Sequence, residues 1–489
     1  MPAEDELIRL TAREAVRLLR AREVSPTELV EAALARIAAV DPLVNALPTL
    51  CAERARAHAR RLERIVEPPD DPRGWLAGLP LVIKDLLDVE GVRTTYGSPI
   101  FEHHVPQRSA FEVERLEERG GIVLGKSNTP EFGAGANTFN EVFGITRNPW
   151  DTALTCAGSS GGAAVALATG MAWLADGSDL GGSLRTPAAF CSVVGLRPSP
   201  GRVRHGPSAV PFQTLSVEGP MARDVRDVAL MLDAMAGLDP RDPLTFDAPA
   251  ESFAEAVERT PRLGRVAFSP DLGGITPVEP EISQVCRGAA ERLAELGAVV
   301  EEAAPDLASA VDVFTVLRGA LFAAVRGPLL ERHRDLLKPE VVWNIEQGLA
   351  LTAERIGWAE RERGQMQQRH AAFLERYDLL LCPAAIVPPF PVETRWLERL
   401  GGHRFASYVD WLAIAYAITL TGCPALSLPC GFTAAGLPVG LQMVAPARGE
   451  ALLLGAAAAL EDRLGVRHLL PIDPRPAADA TRSRHPSSP

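Results

Sequence analysis

A run of apolar residues that stops at a charge sets the first limit on what this chain can become. Residues 78–83 read GLPLVI, and Lys84 and Asp85 follow directly. A short segment apolar on both faces fits a strand buried inside a covered sheet, and fits an edge strand or a surface helix poorly. The same pattern recurs at IVLG, at DLLLCPA and at ALSLPCG. Helical patterns lie between them, and alternation of this kind predicts an α/β fold with a sheet covered by helices on both faces. The chain has 489 residues, 47% of them hydrophobic, which is ample for a large core.

The helical expectations are specific. Residues 5 to 65 read as helices, with Ser25-Pro26-Thr27-Glu28 opening one of them through a cap, a first-turn proline and an early acid. Residues 109–119, the small-residue stretch GGAAVALATG, residues 320–376 and ALLLGAAAALEDRLG are the others. The stretch PPDDPRGW reads as a loop, and residues 236–262 as a surface connection. Residues 471–489 have the composition of a disordered tail.

Charge and cysteine usage exclude several classes. The net charge is −12 and no polybasic run appears, so neither nucleic acid nor an anionic membrane is an expected partner. Seven cysteines lie scattered without a paired framework, as in a reducing compartment. The N-terminus lacks an apolar signal core, and no run approaches a membrane span, so the expected location is the cytoplasm. The nine histidines show no metal-ligand spacing, so no metal and no cofactor are expected.

Two glycine-flanked serines complete the chemistry. Ser159 lies in AGSSGG and Ser183 in SDLGGSLRTPAAF. A serine hydroxyl is a weak nucleophile until a base takes its proton. No histidine sits in a comparable setting, which leaves Lys84 as candidate base. An ordinary lysine, with a pKa near ~10.4, is charged and cannot serve. Burial at the end of an apolar strand lowers that value. Residue chemistry alone leaves open a strand-end lysine paired with Asp85 or Asp88. Leu180, Gly181, Gly182 and Ser183 offer consecutive backbone N–H groups that can stabilise an oxyanion. Asp179 and Arg185 flank the nucleophile as a structural pair, and Ser160 suits a helix N-cap. Cys156 reads as a packing residue. The segment GGIVLGKS matches a phosphate-loop pattern, but it contains its own strand and runs into NTPEFGAG, so nucleotide binding is rejected and Lys126 reads as an ordinary lysine.

These segments together resemble the amidase signature family. The resemblance rests on GLPLVIKDLLDVEG, LGKSNTPEFGAGANTFNEVFGITRNPWD, AGSSGGAAVALATG, DGSDLGGSLRTPAAFCSVVGLRPSPGRV and TGCPALSLPCGFTAAGLPVGLQMV, in family order over about residues 5–470. It implies one large domain around a twisted mixed sheet at residues 66–470, with a helical segment at 1–65 packed on it. It implies a Ser–cis-Ser–Lys triad in which Ser159 bridges Lys84 and Ser183. It places Phe132, Gly133 and Ala134 near the acyl pocket. The segment departs from the family at Cys156-Ala157-Gly158, where Pro-Gly-Gly is usual. The implied activity is hydrolysis of small-molecule amides, with aryl amides, carbamates (urethanes) and esters within reach, by a monomer or homodimer. Two alternatives stand beside it: the glutaminase subunit of a tRNA-dependent amidotransferase, and a catalytically silent binding protein. Trp343, Trp358, Trp396, Phe390 and Tyr408 read as packing residues that could also line a pocket.

Overall fold

The computed structural model describes residues 4–64 and 71–476. Eleven strands form one sheet. In chain order they are β1 (Thr49–Leu50), β2 (Pro80–Lys84), β3 (Ile122–Ser127), β4 (Leu174–Asp179), β5 (Val194–Arg197), β6 (Val217–Ala222), β7 (Arg265–Phe268), β8 (Val299–Glu302), β9 (Leu379–Pro383), β10 (Ala425–Phe432) and β11 (Pro438–Val444). Their spatial order is β1-β3-β2-β4-β6-β5-β10-β11-β9-β7-β8. The pairs β2–β3, β2–β4, β7–β8 and β7–β9 are parallel and the others antiparallel, so the sheet is mixed.

Alternate residues of single strands feed two separate apolar cores. Leu379 and Leu381 of β9 join one, with Leu426, Leu428, Leu441 and Met443. Leu380 and Cys382 of the same strand join the other, with Ala425 and Val444. Successive strand side chains point to opposite faces, so each face has its own helical cover. The helices Gly161–Ala168, Val225–Met235 and Glu450–Leu464 cover the first face. The helices Ala310–His333, Ala353–Leu374 and Ala413–Thr421 cover the second.

Several expectations need correction. The segment read as wholly helical before residue 65 also contributes β1, the edge strand antiparallel to β3. Val30, Ala33 and Ile37 of its Pro26–Val44 helix belong to the first core. Residues 471–476 are docked, not loose: Ile472 N donates to Ala168 O at 2.9 Å, Arg475 N donates to Pro149 O at 2.9 Å, and Asp473 pairs with Arg36 at 2.7 Å. The rest of the tail, 477–489, lies outside the described residues. Ala310–Leu336 does reach the length and apolarity of a membrane span, with mean hydropathy 1.5. Half of that window is buried inside the protein, with Phe314, Val316 and Leu317 in the second core, which identifies a core helix.

The helices Ala310–His333 and Pro339–Leu349 cross where two glycines meet. A Cβ on Gly348 would overlap the backbone carbonyl of Gly319. This close approach sets the position of Arg318 and Asn344, the neighbours on either side of the crossing. Gly348→Ala is therefore expected to cost about 1–3 kcal/mol through overpacking. Urea or guanidinium midpoints at unchanged m-value measure it, and an unshifted midpoint contradicts the close crossing.

Candidate active site

Three neighbouring strand ends and two glycine-rich loops build the site. Lys84 is the last residue of β2 and is completely buried. Its Nζ lies 2.8 Å from Ser159 Oγ, 2.8 Å from Ser160 Oγ and 3.0 Å from Ser178 Oγ. Three hydroxyl oxygens surround the amine, and no carboxylate forms an ion pair with it among the described residues. Burial lowers its pKa from the usual 10.5 to about 7, against the attraction of Asp176, Asp179 and Glu218. The pairings of Lys84 with Asp85 or Asp88 left open by the sequence do not form. Asp85 instead pairs with Lys126 at 3.5 Å, and Asp88 accepts from Tyr96 Oη at 2.6 Å.

Lys126 is accordingly not an ordinary solvated lysine. It is fully buried at the neighbouring strand end and also donates to Thr94 Oγ1 at 2.9 Å and to the Leu87 carbonyl. Ser160 needs a second correction. It stands at the N-cap of the Gly161–Ala168 helix, but its hydroxyl makes no capping bond and meets Lys84 instead. Ser178 and Asp176 were missed in the sequence. They alternate along β4, so both lie on one face of the sheet beside β2: Asp176 Oδ1 accepts the Lys84 backbone N–H at 2.6 Å, and Ser178 reaches the amine. The pattern D-G-S held that signal, since two polar residues two apart on a strand share one face.

The peptide before Ser159 is cis. Ala157 has a left-handed φ of 56°, a conformation glycine adopts without strain and alanine does not. Its carbonyl accepts from Thr138 Oγ1 at 2.8 Å, which pins the loop. Cys156 is buried and its thiol is pushed up to about 12 by burial, consistent with packing.

Ser183 is half-buried within an otherwise buried run. Its carbonyl accepts from Ser160 N at 3.2 Å, which ties the two serine loops together. Its hydroxyl makes no hydrogen bond among the described residues, and Ser183 lines a narrow cleft of about 20 Å³ with Gly133, Gly135 and Gly181. A Cβ on Gly133 would come within 3.4 Å of Ser159 Oγ, so this glycine borders both serines. Of the four proposed oxyanion donors, Gly182 is already committed: its N–H donates to Asp179 Oδ1 at 3.0 Å. The N–H groups of Leu180, Gly181 and Ser183 have no acceptor among the described residues.

Asp179 anchors this loop. Besides Gly182 N, it accepts from Leu184 N at 3.1 Å and from Arg185 at 2.8 and 3.0 Å, and Arg197 lies 3.4 Å away. Arg185 and the rest of the cluster outweigh the cost of burial and hold this carboxyl below the usual carboxylate range. Arg185 extends the anchor to Ala415 O at 2.7 Å and Thr419 Oγ1 at 3.0 Å.

The three residues expected at the acyl pocket separate. Gly133 lines the cleft. Phe132 lines a second, larger cavity of about 460 Å³ that also touches Leu180. Ala134 lines neither: it is buried beside Phe322 and Val341, and its carbonyl accepts from Lys338 Nζ at 3.2 Å. Among the candidate pocket aromatics, Tyr408 lines the cleft, whereas Phe390 packs on Phe190 and Trp411.

Removing the Asp179 charge isolates two buried guanidinium groups. Asp179→Asn is expected to cost about 3–5 kcal/mol. Guanidinium unfolding measures this, and a loss below about 1 kcal/mol would mean the cluster is better solvated than its burial implies.

Comparison with known proteins agrees with this architecture. The family model described as Amidase matches residues 28–454. An acylamidase of Rhodococcus erythropolis is 36% identical over 470 residues, covering 94% of this chain and 96% of that protein. A glutamyl-tRNA(Gln) amidotransferase subunit of Moorella thermoacetica is 38% identical over 481 residues, covering 93% and 97%. Among solved structures, a 6-aminohexanoate cyclic dimer hydrolase superposes with TM-score 0.86 at 29% identity, covering 95% of this chain and 99% of that one. A bacterial aryl acylamidase superposes with TM-score 0.84 at 28% identity, covering 93% and 96%. With its covered mixed sheet and its lysine among serines, this chain belongs to the amidase signature family.

Proposed function

We propose that this amidase-family hydrolase cleaves linear amides through an acyl-enzyme on Ser183. The carrying observation is Lys84: a buried amine, without an ion pair, 2.8 Å from Ser159 Oγ. Neutral Lys84 accepts the Ser159 proton, and Ser159 accepts the proton of Ser183. The Ser183 oxygen then bonds to the substrate carbonyl carbon. The negative oxygen that develops is met by N–H groups of the Leu180–Ser183 loop, excluding Gly182. The C–N bond breaks, and the relay returns a proton to the departing amine. A water, deprotonated by the same relay, adds to the acyl carbon and releases the carboxylic acid and Ser183. Every proton is carried by a residue of this chain, and the protein acts as a monomer or homodimer.

Carboxamides and aryl amides are the main substrates of this reading. Carbamates and esters present the same carbonyl and fall within the same chemistry. The glutaminase alternative has less support. Glutamine brings an ammonium group that needs an anionic partner once desolvated. The residues that line the cleft beside Ser183 include no carboxylate.

Three outcomes test the proposal. Ser183→Ala is expected to fold and to lose at least about 10³-fold in kcat, and a serine-directed phosphonate is expected to label Ser183 in the parent. Full activity in the folded variant removes Ser183 from the mechanism. The amine is active only when neutral, so kcat/KM is expected to rise with pH through an apparent pKa of about 7 and then level off. Lys84→Arg, which cannot deprotonate in this range, is expected to be inactive across the profile. An active arginine variant assigns the base elsewhere. Finally, the purified chain is expected to hydrolyse a neutral aryl amide with higher kcat/KM than glutamine. The reverse order promotes the glutaminase reading.

A further inference from the structure

The helix Ala310–His333 brings a charge into the cleft beside Ser183. Arg318 is only 7% exposed, yet it lines the same cleft as Ser183. Its Nε donates to Asn344 Oδ1 at 2.9 Å and its Nη2 donates to Tyr408 Oη at 2.9 Å. Asn344 is itself held, donating through Nδ2 to Glu340 O at 2.7 Å and to Tyr408 Oη. The rings of Phe322, Tyr408 and Phe314 stand 4.6, 5.9 and 6.0 Å from the guanidinium carbon. The group is boxed, oriented and nearly dehydrated.

All of these partners are neutral. Arg318 takes part in no ion pair among the described residues. The two carboxylates of the crossing helix are engaged elsewhere: Glu340 by Arg395 at 2.8 Å, with Lys338 4.0 Å away, and Glu346 by Arg334 at 2.5 Å. Arg185 and Arg197, also buried, share the Asp179 carboxylate at 2.8 and 3.4 Å, and buried Arg223 is instead saturated by the carbonyls of Ile8 and Leu10, whereas Arg318 keeps a nitrogen free toward a cleft. A buried cation with no counter-charge is unfavourable unless an anion arrives from outside. Nη1 of Arg318 makes no hydrogen bond and is not sealed off from the cleft, so its two N–H groups remain for such an anion.

We propose that Arg318 receives a carboxylate carried by the substrate, so that preferred substrates are amides bearing an acid group and no ammonium. Nη1 presents charge-assisted N–H donors to a carboxylate oxygen, and the aromatic box limits competition from water. No carboxylate lines this cleft among the described residues, which disfavours a zwitterion and separates these substrates from glutamine. This specificity rests on Ser183 being the nucleophile, because it places the acid group in the cleft that Ser183 shares.

Matched anilides test it in the full-length protein. Glutaric acid monoanilide is compared with pentananilide, and 4-acetamidobenzoate with acetanilide, so the acid lies on the acyl half in one pair and on the amine half in the other. One acid member is expected to exceed its neutral partner in kcat/KM by about 10-fold or more, the scale of a charge-assisted hydrogen bond. That ratio is expected to collapse in Arg318→Met and to be partly retained in Arg318→Lys. No acid preference in the parent overturns the proposal, as does a preference that survives Arg318→Met. Should the variants fold poorly, the parent alone decides: glutarate is expected to inhibit competitively, and more weakly as salt rises, where glutaramide does not. Equal inhibition by the two overturns it. Turnover by Ser183→Ala would sink the nucleophile instead, whatever the acid preference of the parent.

Discussion

Desolvation of one amine is the constraint around which this structure is arranged. Lys84 ends a strand with neighbours on both sides and covered on both faces, so water cannot reach its Nζ. The protein satisfies it with three serine hydroxyls. An adjacent carboxylate would have kept the amine charged. Hydroxyls both donate and accept, so they tolerate either protonation state, and burial then favours the neutral one. The contrast with Lys126 is instructive. It is equally buried one strand away, but Asp85 lies 3.5 Å from it. Two lysines at adjacent strand ends thus receive opposite treatment, and only the one left without a carboxylate is suited to accept a proton.

The loop of the proposed nucleophile, Ser183, depends on a different buried charge. Asp179 closes β4 and gathers two backbone N–H groups and two guanidinium groups within a few ångströms. Through Arg185 the same cluster reaches the Ala413–Thr421 helix. The loop carrying Ser183 is therefore fixed from behind by ionic contacts, while its front faces the cleft. Gly182 permits this. Its φ of +111° suits glycine, and a Cβ there would meet Ala415 at 2.6 Å. The same arrangement consumes the Gly182 N–H, so that of the loop's amides only those of its neighbours are left without an acceptor among the described residues.

The cleft is assembled from segments far apart in the chain. Gly133 and Gly135 come from the loop after β3, Phe314 and Arg318 from a core helix, and Tyr408 and Val409 from the loop ahead of the Ala413–Thr421 helix. A helix apolar enough to cross a bilayer serves here as a wall of that cleft and carries a buried guanidinium into it. The Gly319–Gly348 crossing brings Asn344 to Arg318, so a contact between two glycines positions a charge they do not touch.

Strand positions, helix positions and the three catalytic candidates were legible in the sequence because each has a local signature. Apolar runs mark β2, β3, β9 and β10, glycines flank the serines, and a charge at a strand end announces Lys84. The partners of that lysine were not legible. Ser160 looked like a cap and Ser178 drew no reading, because a hydroxyl has no sequence pattern that states which group it will meet. Lys126 looked solvated because burial is a property of the whole sheet. The resemblance placed Ala134 near the acyl pocket, yet the chain turns it into the core. The sequence alone determined which chemistry this protein carries, since residue type fixes what can be a base or a nucleophile. Tertiary structure alone decided which charges are paired and which are left bare, because desolvation and ion pairing act through space between residues separated by up to hundreds of positions.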